Sequence, residues 1–200
     1  MIIGILALQG AFIEHKCILD KLQISNILIK YPEQIKNCDG IIIPGGESTA
    51  MSIIDTNVFE EIKTHVKNNK PIWGTCAGLI LLSNEIIGKI GAQQHIGGLD
   101  VVVQRNFFGS QQQSFIKHLP YPQTFGKEGT FPAIFIRAPI IKEVYDNVKI
   151  LIKCDDNIVA VQQNNLLGTS FHPELTEDSS WHKYFIKIIN EYLKIKFKDK

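Results

Sequence analysis

The sequence predicts an α/β protein built on a doubly wound, mostly parallel sheet. In the first half of the chain, short apolar runs alternate with longer amphipathic stretches. Runs that are apolar throughout are typical of strands buried on both faces, which occur in parallel sheets covered by crossover helices. The second half contains short strands joined by turn-forming residues, which predicts antiparallel strands added to this sheet.

Strands and helices alternate regularly in the first half. We predict strands at residues 2–8, 26–31, 40–43 and 71–74, and helices at residues 11–22, 57–68 and 77–87. This order of elements is that of a doubly wound sheet with helices on both faces.

The second half is predicted to hold further strands and one long helix. The strands are expected at residues 99–104, 133–137, 148–154, 158–163 and 167–171. An apolar stripe at helical spacing predicts a last helix over about residues 179–197. We expect residues 119–131, which contain two prolines and two glycines, to form a variable surface loop.

Composition indicates one globular domain over residues 1–200, with 44% hydrophobic residues and a net charge of +1. No stretch is basic enough to predict nucleic-acid binding, and none is apolar and long enough to predict a membrane span. The four cysteines are scattered without the spacing of a disulfide framework or a metal site. The apolar start lacks a basic n-region, so it is interpreted as a buried strand rather than a signal peptide. We therefore expect a cytoplasmic protein without a metal or cofactor.

A cysteine between glycines stands at a predicted strand-to-helix junction. The segment Gly74-Thr-Cys-Ala-Gly78 is a G-x-nucleophile-x-G elbow in which Cys76 takes the place of the nucleophile. So sharp a turn leaves no room for a Cβ on either side. The helix N-terminus behind it favours a thiolate and offers N–H groups to an oxyanion. A buried structural cysteine beside packing glycines is the alternative.

A histidine and a carboxylate follow the last predicted strand. His172 and Glu174 lie two residues apart, and in extended backbone such residues project to one side. Pro173 stiffens the spacer between them. We predict that His172 is the base for Cys76 and that Glu174 orients it, with an exposed turn as the alternative. Two other histidines, His65 and His182, are expected to face solvent on their helices.

A glycine loop and two arginines point to a substrate with a carboxylate. Residues 44–49, Pro-Gly-Gly-Glu-Ser-Thr, follow a buried strand but lack the G-K-[ST] of a phosphate-binding loop. We predict a loop that donates N–H groups to an oxyanion, with an ordinary helix cap as the alternative. Only Arg105 and Arg137 among the 21 basic residues are arginine. A guanidinium binds a carboxylate through two hydrogen bonds, and structural salt bridges are the alternative.

These motifs resemble the class I, triad-type glutamine amidotransferases, which have a flavodoxin-like fold. More narrowly, they resemble the family of glutaminase subunits of pyridoxal 5′-phosphate synthase, over almost the whole chain. The elbow and the His-Pro-Glu segment belong to the wider superfamily. The segments that carry the narrower resemblance are Leu8-Gln-Gly-Ala11 with Glu14-His15, Pro44-Gly-Gly-Glu-Ser-Thr49, Arg105-Asn106 with Phe108-Gly109, and Ile136-Arg-Ala-Pro139.

The resemblance implies a role for each matching residue. Cys76 attacks the side-chain amide of glutamine, His172 transfers the proton to the departing ammonia, and Glu174 orients His172. The backbone N–H groups of Gly46 and Ala77 form the oxyanion hole. The glutamine-binding positions of the family are matched by Gly46, Glu47, Ser48, Arg105, Ile136 and Arg137.

The resemblance also implies a partner. The ammonia passes to a (β/α)₈-barrel synthase subunit that makes pyridoxal 5′-phosphate for vitamin B6 biosynthesis, in a twelve-plus-twelve complex. Gln9, Gly10 and His15 lie near that interface by analogy.

Three alternatives remain at the level of the sequence. A glutaminase that supplies another synthase would have the same triad. A γ-glutamyl hydrolase would act without any partner. A regulatory α/β protein without catalytic activity could keep the elbow, but it has no reason to keep His172, Glu174 and both arginines together.

Overall fold

The computed structural model describes residues 1–48, 51, 56–89, 94–107 and 114–198. The helices are α1 (Phe12–Lys21), α2 (Pro32–Ile35), α3 (Thr56–Lys67), α4 (Ala77–Leu82) and α5 (Ser180–Lys198). The strands are β1 (Ile3–Leu6), β2 (Asn26–Ile29), β3 (Gly40–Ile43), β4 (Ile72–Thr75), β5 (Ser83–Ile87), β6 (Leu99–Gln104), β7 (Ser114–Pro120), β8 (Thr130–Ile136), β9 (Ile140–Val144), β10 (Lys149–Cys154), β11 (Asn157–Gln163) and β12 (Leu166–Thr169).

One mixed sheet organises the described part of the chain. Its strand order is β2-β1-β3-β4-β12-β11-β9-β6-β5, and β10 pairs with β11 at the side of this path. The five strands from β2 to β12 are mutually parallel, whereas β11 is antiparallel to β12, β9 and β10. The α/β class with a parallel sheet and added antiparallel strands is therefore confirmed.

Helices cover both faces of the sheet, and its central strands β3, β4 and β12 are buried at every position. In β3 the side chains alternate between the faces: Ile41 and Ile43 join a core cluster with Phe59 of α3, and Ile42 joins a second cluster with Phe185 of α5. All of these side chains are buried. Burial of each such side chain stabilises the fold by about 1.5–3 kcal/mol.

The first-half strands and the last helix lie where they were predicted, with ends that differ by a few residues. The strand predicted at 167–171 was expected to be one of the added antiparallel strands, and this prediction is correct for only one of its two neighbours. Its counterpart β12 is antiparallel to β11 but parallel to β4 on its other side. This placement inserts the last strand into the parallel block beside the elbow.

The helix predicted at 77–87 is wrong beyond Leu82. The chain leaves the helix at Ser83, which has extended dihedral angles (φ −66°, ψ 146°), and continues as β5 parallel to β6. The side chain of Asn84 accepts a hydrogen bond from the N–H of Gly98 at 2.6 Å and donates one to Asp100. Strand pairing at the sheet edge therefore ends the helix, and the β-branched Ile86 and Ile87 suit the strand that follows.

The surface loop predicted at 119–131 is shorter and better packed than expected. Leu119 and Phe131 are buried and face each other in the separate β7–β8 hairpin. In the connection between these strands, the Phe125 ring stacks on Tyr184 at 4.6 Å and meets Trp181 edge-on at 4.9 Å between centroids. Aromatic partners on α5 thus hold the segment against the core.

No helix in the described ranges has the length and apolar character needed to span a membrane.

Candidate active site

The glycine-flanked elbow between β4 and α4 presents Cys76. This residue has φ 48° and ψ −101°, a backbone conformation that is rare for a residue with a side chain. A Cβ on Gly74 would lie 2.4 Å from the backbone of Gly78, and a Cβ on Gly78 would lie 2.0 Å from the carbonyl oxygen of Ile43. Both glycines are therefore required by close backbone packing, as the sequence predicted.

His172 and Glu174 meet beside the elbow. The imidazole Nδ1 lies 2.7 Å from the carboxylate Oε1 of Glu174, and both side chains are buried. The imidazole and the side chain of Cys76 line the same cleft, and the Sγ of Cys76 lies 3.9 Å from the carbonyl oxygen of Ile136. Pro173–Leu175 form a 3-10 turn, so the two side chains meet across a turn and not along extended backbone as predicted.

The electrostatic environment favours a protonated His172. Burial alone would lower its pKa, but the hydrogen bonds and charges of Cys76 and Glu174 outweigh burial and raise the pKa to about 10. A cationic imidazole next to a sulfur is the arrangement that activates thiol nucleophiles. Cys76 and His172 can therefore act as a nucleophile and its acid–base partner.

The glycine loop approaches the reacting groups closely. A Cβ on Gly45 would lie 2.2 Å from Cε1 of His172 and 3.2 Å from the Cβ of Cys76. The next residues of the loop contact the segment after β1, where the side-chain oxygen of Gln9 accepts a hydrogen bond from the N–H of Glu47 at 2.8 Å. The loop is thus held within reach of a group bound at Cys76.

A cleft of about 230 Å³ opens over the nucleophile. Its lining comprises Gln9, Gly46, Glu47, Ser48, Cys76, Ala77, Ile80, Arg105, Asn106, Ile136, Arg137 and His172. Within it, the guanidinium Nη2 of Arg105 lies 3.5 Å from the carboxylate Oε1 of Glu47. The cleft therefore offers a nucleophile, a cationic imidazole and charges of both signs to one small ligand.

Comparison with known proteins identifies the family. The model of the SNO glutamine amidotransferase family matches residues 5–191. The chain belongs to this family. It is a glutaminase, as its motifs predicted.

Relatives with assigned names support the same family. The chain is 43% identical over 221 residues to the probable pyridoxal 5′-phosphate synthase subunit PDX2 of Arabidopsis thaliana, covering 96% of this chain and 87% of the relative. It is 46% identical over 193 residues to the pyridoxal 5′-phosphate synthase subunit PdxT of Ruminiclostridium cellulolyticum, covering 94% and 98%. A crystal structure of a glutamine amidotransferase superposes with a TM-score of 0.87 at 37% identity, covering 94% of this chain and 98% of that one.

The structure brings the predicted site residues of this amidotransferase together. Gly46, Glu47, Ser48, Ala77, Arg105, Ile136 and Arg137 line the same cleft as Cys76 and His172. Sequence reasoning did not assign Ile80 and Asn106 to the site: Asn106 was noted only as part of the Arg105-Asn106 motif, and no local pattern distinguishes Ile80 from other helix residues. Thr49, Phe108 and Gly109 of the quoted motifs lie outside the described residues.

Three further histidines, His15, His65 and His182, are all buried in the amidotransferase. His65 and His182 are 3% and 0% exposed, so the prediction that they face solvent is wrong. His15 was expected near a partner interface, but its side chain is 0% exposed and lies behind the triad, 3.5 Å from Oε2 of Glu174. Helical position does not reveal such burial, because the elements that cover these residues come from distant parts of the chain.

Within the described residues, no group of three or more His, Cys, Asp or Glu side chains is arranged to hold a metal ion.

Proposed function

We propose that this amidotransferase hydrolyses L-glutamine to L-glutamate and ammonia through Cys76, His172 and Glu174. The observation that carries the proposal is the convergence of these three side chains: Cys76 and His172 line one cleft, and Nδ1 of His172 lies 2.7 Å from Oε1 of Glu174. This is the order of contacts that nucleophile, base and orienting carboxylate require.

The reaction follows from this arrangement. The sulfur of Cys76 attacks the side-chain amide carbon of glutamine, and negative charge develops on the amide oxygen. The N–H groups of Gly46 and Ala77, on two segments that line the cleft, stabilise that oxygen, with about 3 kcal/mol for one such donor. His172 gives its proton to the amide nitrogen, ammonia leaves, and water hydrolyses the thioester with His172 as base.

The charged groups of the cleft suit the amino-acid end of glutamine. The guanidinium groups of Arg105 and Arg137 can bind the α-carboxylate, and the carboxylate of Glu47 can accept from the α-ammonium. In support, Glu47 and Arg105 both line the cleft and lie 3.5 Å apart. Ser48 and Ile136 complete the walls of this part of the cleft.

The ammonia is proposed to serve a pyridoxal 5′-phosphate synthase. The relatives described above are named as subunits of that synthase. We propose a (β/α)₈-barrel partner subunit in a twelve-plus-twelve complex, acting in vitamin B6 biosynthesis in the cytoplasm. All four cysteines are free thiols, which fits a reducing compartment.

Gln9 and Gly10 are the proposed contact with that partner. They connect to the catalytic loop, since a Cβ on Gly10 would lie 1.9 Å from the carbonyl oxygen of Gly45 and Gln9 accepts from Glu47. A partner that docks at this segment can therefore influence the N–H donors of the cleft. His15 is left out of the proposed contact because its side chain is buried.

Glutamate release from glutamine tests this function. The purified chain is measured alone and with a barrel subunit of pyridoxal 5′-phosphate synthase, and Cys76→Ala serves as the control. We expect release that rises strongly with the barrel and disappears in Cys76→Ala, because the sulfur forms the covalent intermediate.

Two other outcomes contradict parts of the proposal. Equal activity with and without the barrel indicates an amidohydrolase that acts alone. No activity in either case, with the barrel demonstrably bound, removes the catalytic role of the triad.

A further inference from the structure

A chain of buried polar groups extends from the triad into the core. His15 on α1 and His182 on α5 are both 0% exposed, and Nδ1 of His15 lies 2.9 Å from Nε2 of His182. The other nitrogen of His15, Nε2, lies 3.3 Å from Oγ1 of Thr75 and 3.5 Å from Oε2 of Glu174. The ring of Trp73 packs edge-on against both imidazoles, at 5.5 and 5.0 Å between centroids.

Both imidazoles are neutral at physiological pH. Burial is the largest cause for each: it keeps the pKa of His15 well below 6.5 and lowers the pKa of His182 to about 3. The charges of His182 and then of His172 further lower the pKa of His15, and Asp178 raises the pKa of His182. A single proton therefore lies between Nδ1 of His15 and Nε2 of His182.

The surroundings distinguish the two possible positions of this proton. If His15 donated from Nδ1, its bare Nε2 could accept only from the Thr75 hydroxyl and would also direct its lone pair towards the carboxylate of Glu174. His182 would then carry its proton on Nδ1, which is buried and has no hydrogen-bond partner. If His182 donates from Nε2, His15 carries its proton on Nε2, facing Thr75 and Glu174, and only a lone pair remains unpaired on His182. The second arrangement is favoured because it avoids both a buried unpaired donor and a lone pair opposed to an anion.

We propose that His15 is a positioning residue that directs its Nε2–H at Oε2 of Glu174, in a tautomer fixed by the Nε2–H of His182. This inference rests on the proposed role of Glu174 in the triad. Oε1 of Glu174 is bound to Nδ1 of His172, whereas Oε2 is buried and has no hydrogen-bond partner within 3.5 Å that meets the geometry of one. An N–H directed at Oε2 resists rotation of the carboxylate and so keeps Oε1 on His172.

The tautomers can be observed without measuring activity. Protein labelled with ¹⁵N on histidine is examined by long-range ¹H–¹⁵N correlation NMR at pH 7, with His15→Gln and His182→Gln used to assign the signals. We expect both residues to be neutral with the proton on Nε2. A proton on Nδ1 of His15, or a charged His15, overturns the inference whether or not the chain hydrolyses glutamine.

Kinetics of matched variants then test the positioning role. In the complex with the barrel subunit, His15→Leu is expected to lower kcat by about 10–100-fold with little change in KM, because the substrate contacts are retained. In His15→Gln the side-chain amide places an N–H near the position of Nε2, so this variant is expected to recover most of kcat. His65→Leu, which removes another buried histidine remote from the cleft, serves as the control for general destabilisation.

A double-mutant comparison separates positioning from packing. In a Glu174→Ala background, His15→Leu is expected to cause no further loss of kcat, because the group it acts on is absent. Equal losses in both backgrounds, or equal losses for His15→Leu and His15→Gln, overturn the inference. If His15→Leu does not fold, the tautomers and the behaviour of His15→Gln decide the question.

Discussion

At the scale of single residues, three residues that line the cleft have an unusual backbone conformation. Cys76, Asn106 and Arg137 all have positive φ angles, between 45° and 49°, and all three line the cleft. Asparagine adopts this region readily, but cysteine and arginine do so at a cost of about 1–3 kcal/mol. The surrounding sheet compensates for this cost. As a result, the thiol of Cys76 and the guanidinium of Arg137 line the same cleft.

The charge and the shape of Arg137 can be separated by substitution. Arg137→Lys retains the positive charge but loses the planar pair of donors, so KM for glutamine is expected to rise about tenfold while kcat changes little. Arg137→Met removes the charge as well and is expected to raise KM further. Steady-state kinetics of glutamate release measure both, and a KM for Arg137→Lys equal to that of the unsubstituted protein contradicts the bidentate role.

The sequence identified those residues whose role is indicated by a local motif. Cys76 could be found because Gly74 and Gly78 are required by the turn itself. His15 could not be found in the same way. Its contact with Glu174 joins residues from opposite ends of the chain, and no local pattern records that distance.

At the scale of elements, the elbow depends on the close approach of β3, β4 and α4. The missing side chain at Gly78 lets α4 approach the backbone of β3, where a Cβ would lie 2.0 Å from the carbonyl oxygen of Ile43. The helix can begin directly at the nucleophile only because of this approach.

Substitution of Gly78 tests that dependence. Gly78→Ala is expected to destabilise the fold by about 1–3 kcal/mol or more, because backbone must move to admit the methyl group, and to abolish glutamate release. Gly126→Ala is the control: no atom lies within 4 Å of the Cβ position of Gly126, so this variant adds only the strain of its φ of 65° and no clash with backbone. Urea unfolding measures both variants, and equal free energies of unfolding contradict the steric argument.

The elements that the sequence predicted well are those whose pattern is local. The strands of the parallel block are short runs of mainly apolar residues, and α5 has an apolar stripe whose side chains join the core. Strands β5, β7 and β9 were missed because they depend on pairing partners. In β5, pairing with β6 takes the place of the predicted continuation of the helix.

At the scale of the whole molecule, buried histidines make folding depend on pH. His65 and His182 have pKa values lowered to about 3 by burial, and the pKa of His15 is also well below 6.5. Such groups bind fewer protons in the folded than in the unfolded state. Their stabilising contribution is therefore complete above pH 6.5 and is lost as pH falls below it. The contribution of His172 to stability depends on pH in the opposite direction. Because its pKa is raised to about 10, His172 stabilises the fold below pH 6.5, and this contribution is lost as pH rises towards 10.

The acid side of this dependence can be tested at His65, which lies outside the cleft. As pH falls from about 6 to about 4, each neutral buried histidine is expected to lower the free energy of unfolding by about 1.4 kcal/mol for each pH unit of decrease. His65→Leu should reduce the slope by that amount. Urea unfolding at several pH values provides the measurement, with the solvent-exposed change Lys187→Ala as the control. An unchanged slope in His65→Leu contradicts the assigned burial.

The parallel pairing of β12 with β4 aligns Thr169 with Thr75, and this one register sets the base beside the nucleophile. The nucleophile comes from the first half of the chain, but its catalytic partner arrives only with the last strand added to the block. Synthesis from the N-terminus therefore completes the segment that holds Cys76 before the segment that holds His172. The triad proposed above can form only after the last strand of the parallel block has been added.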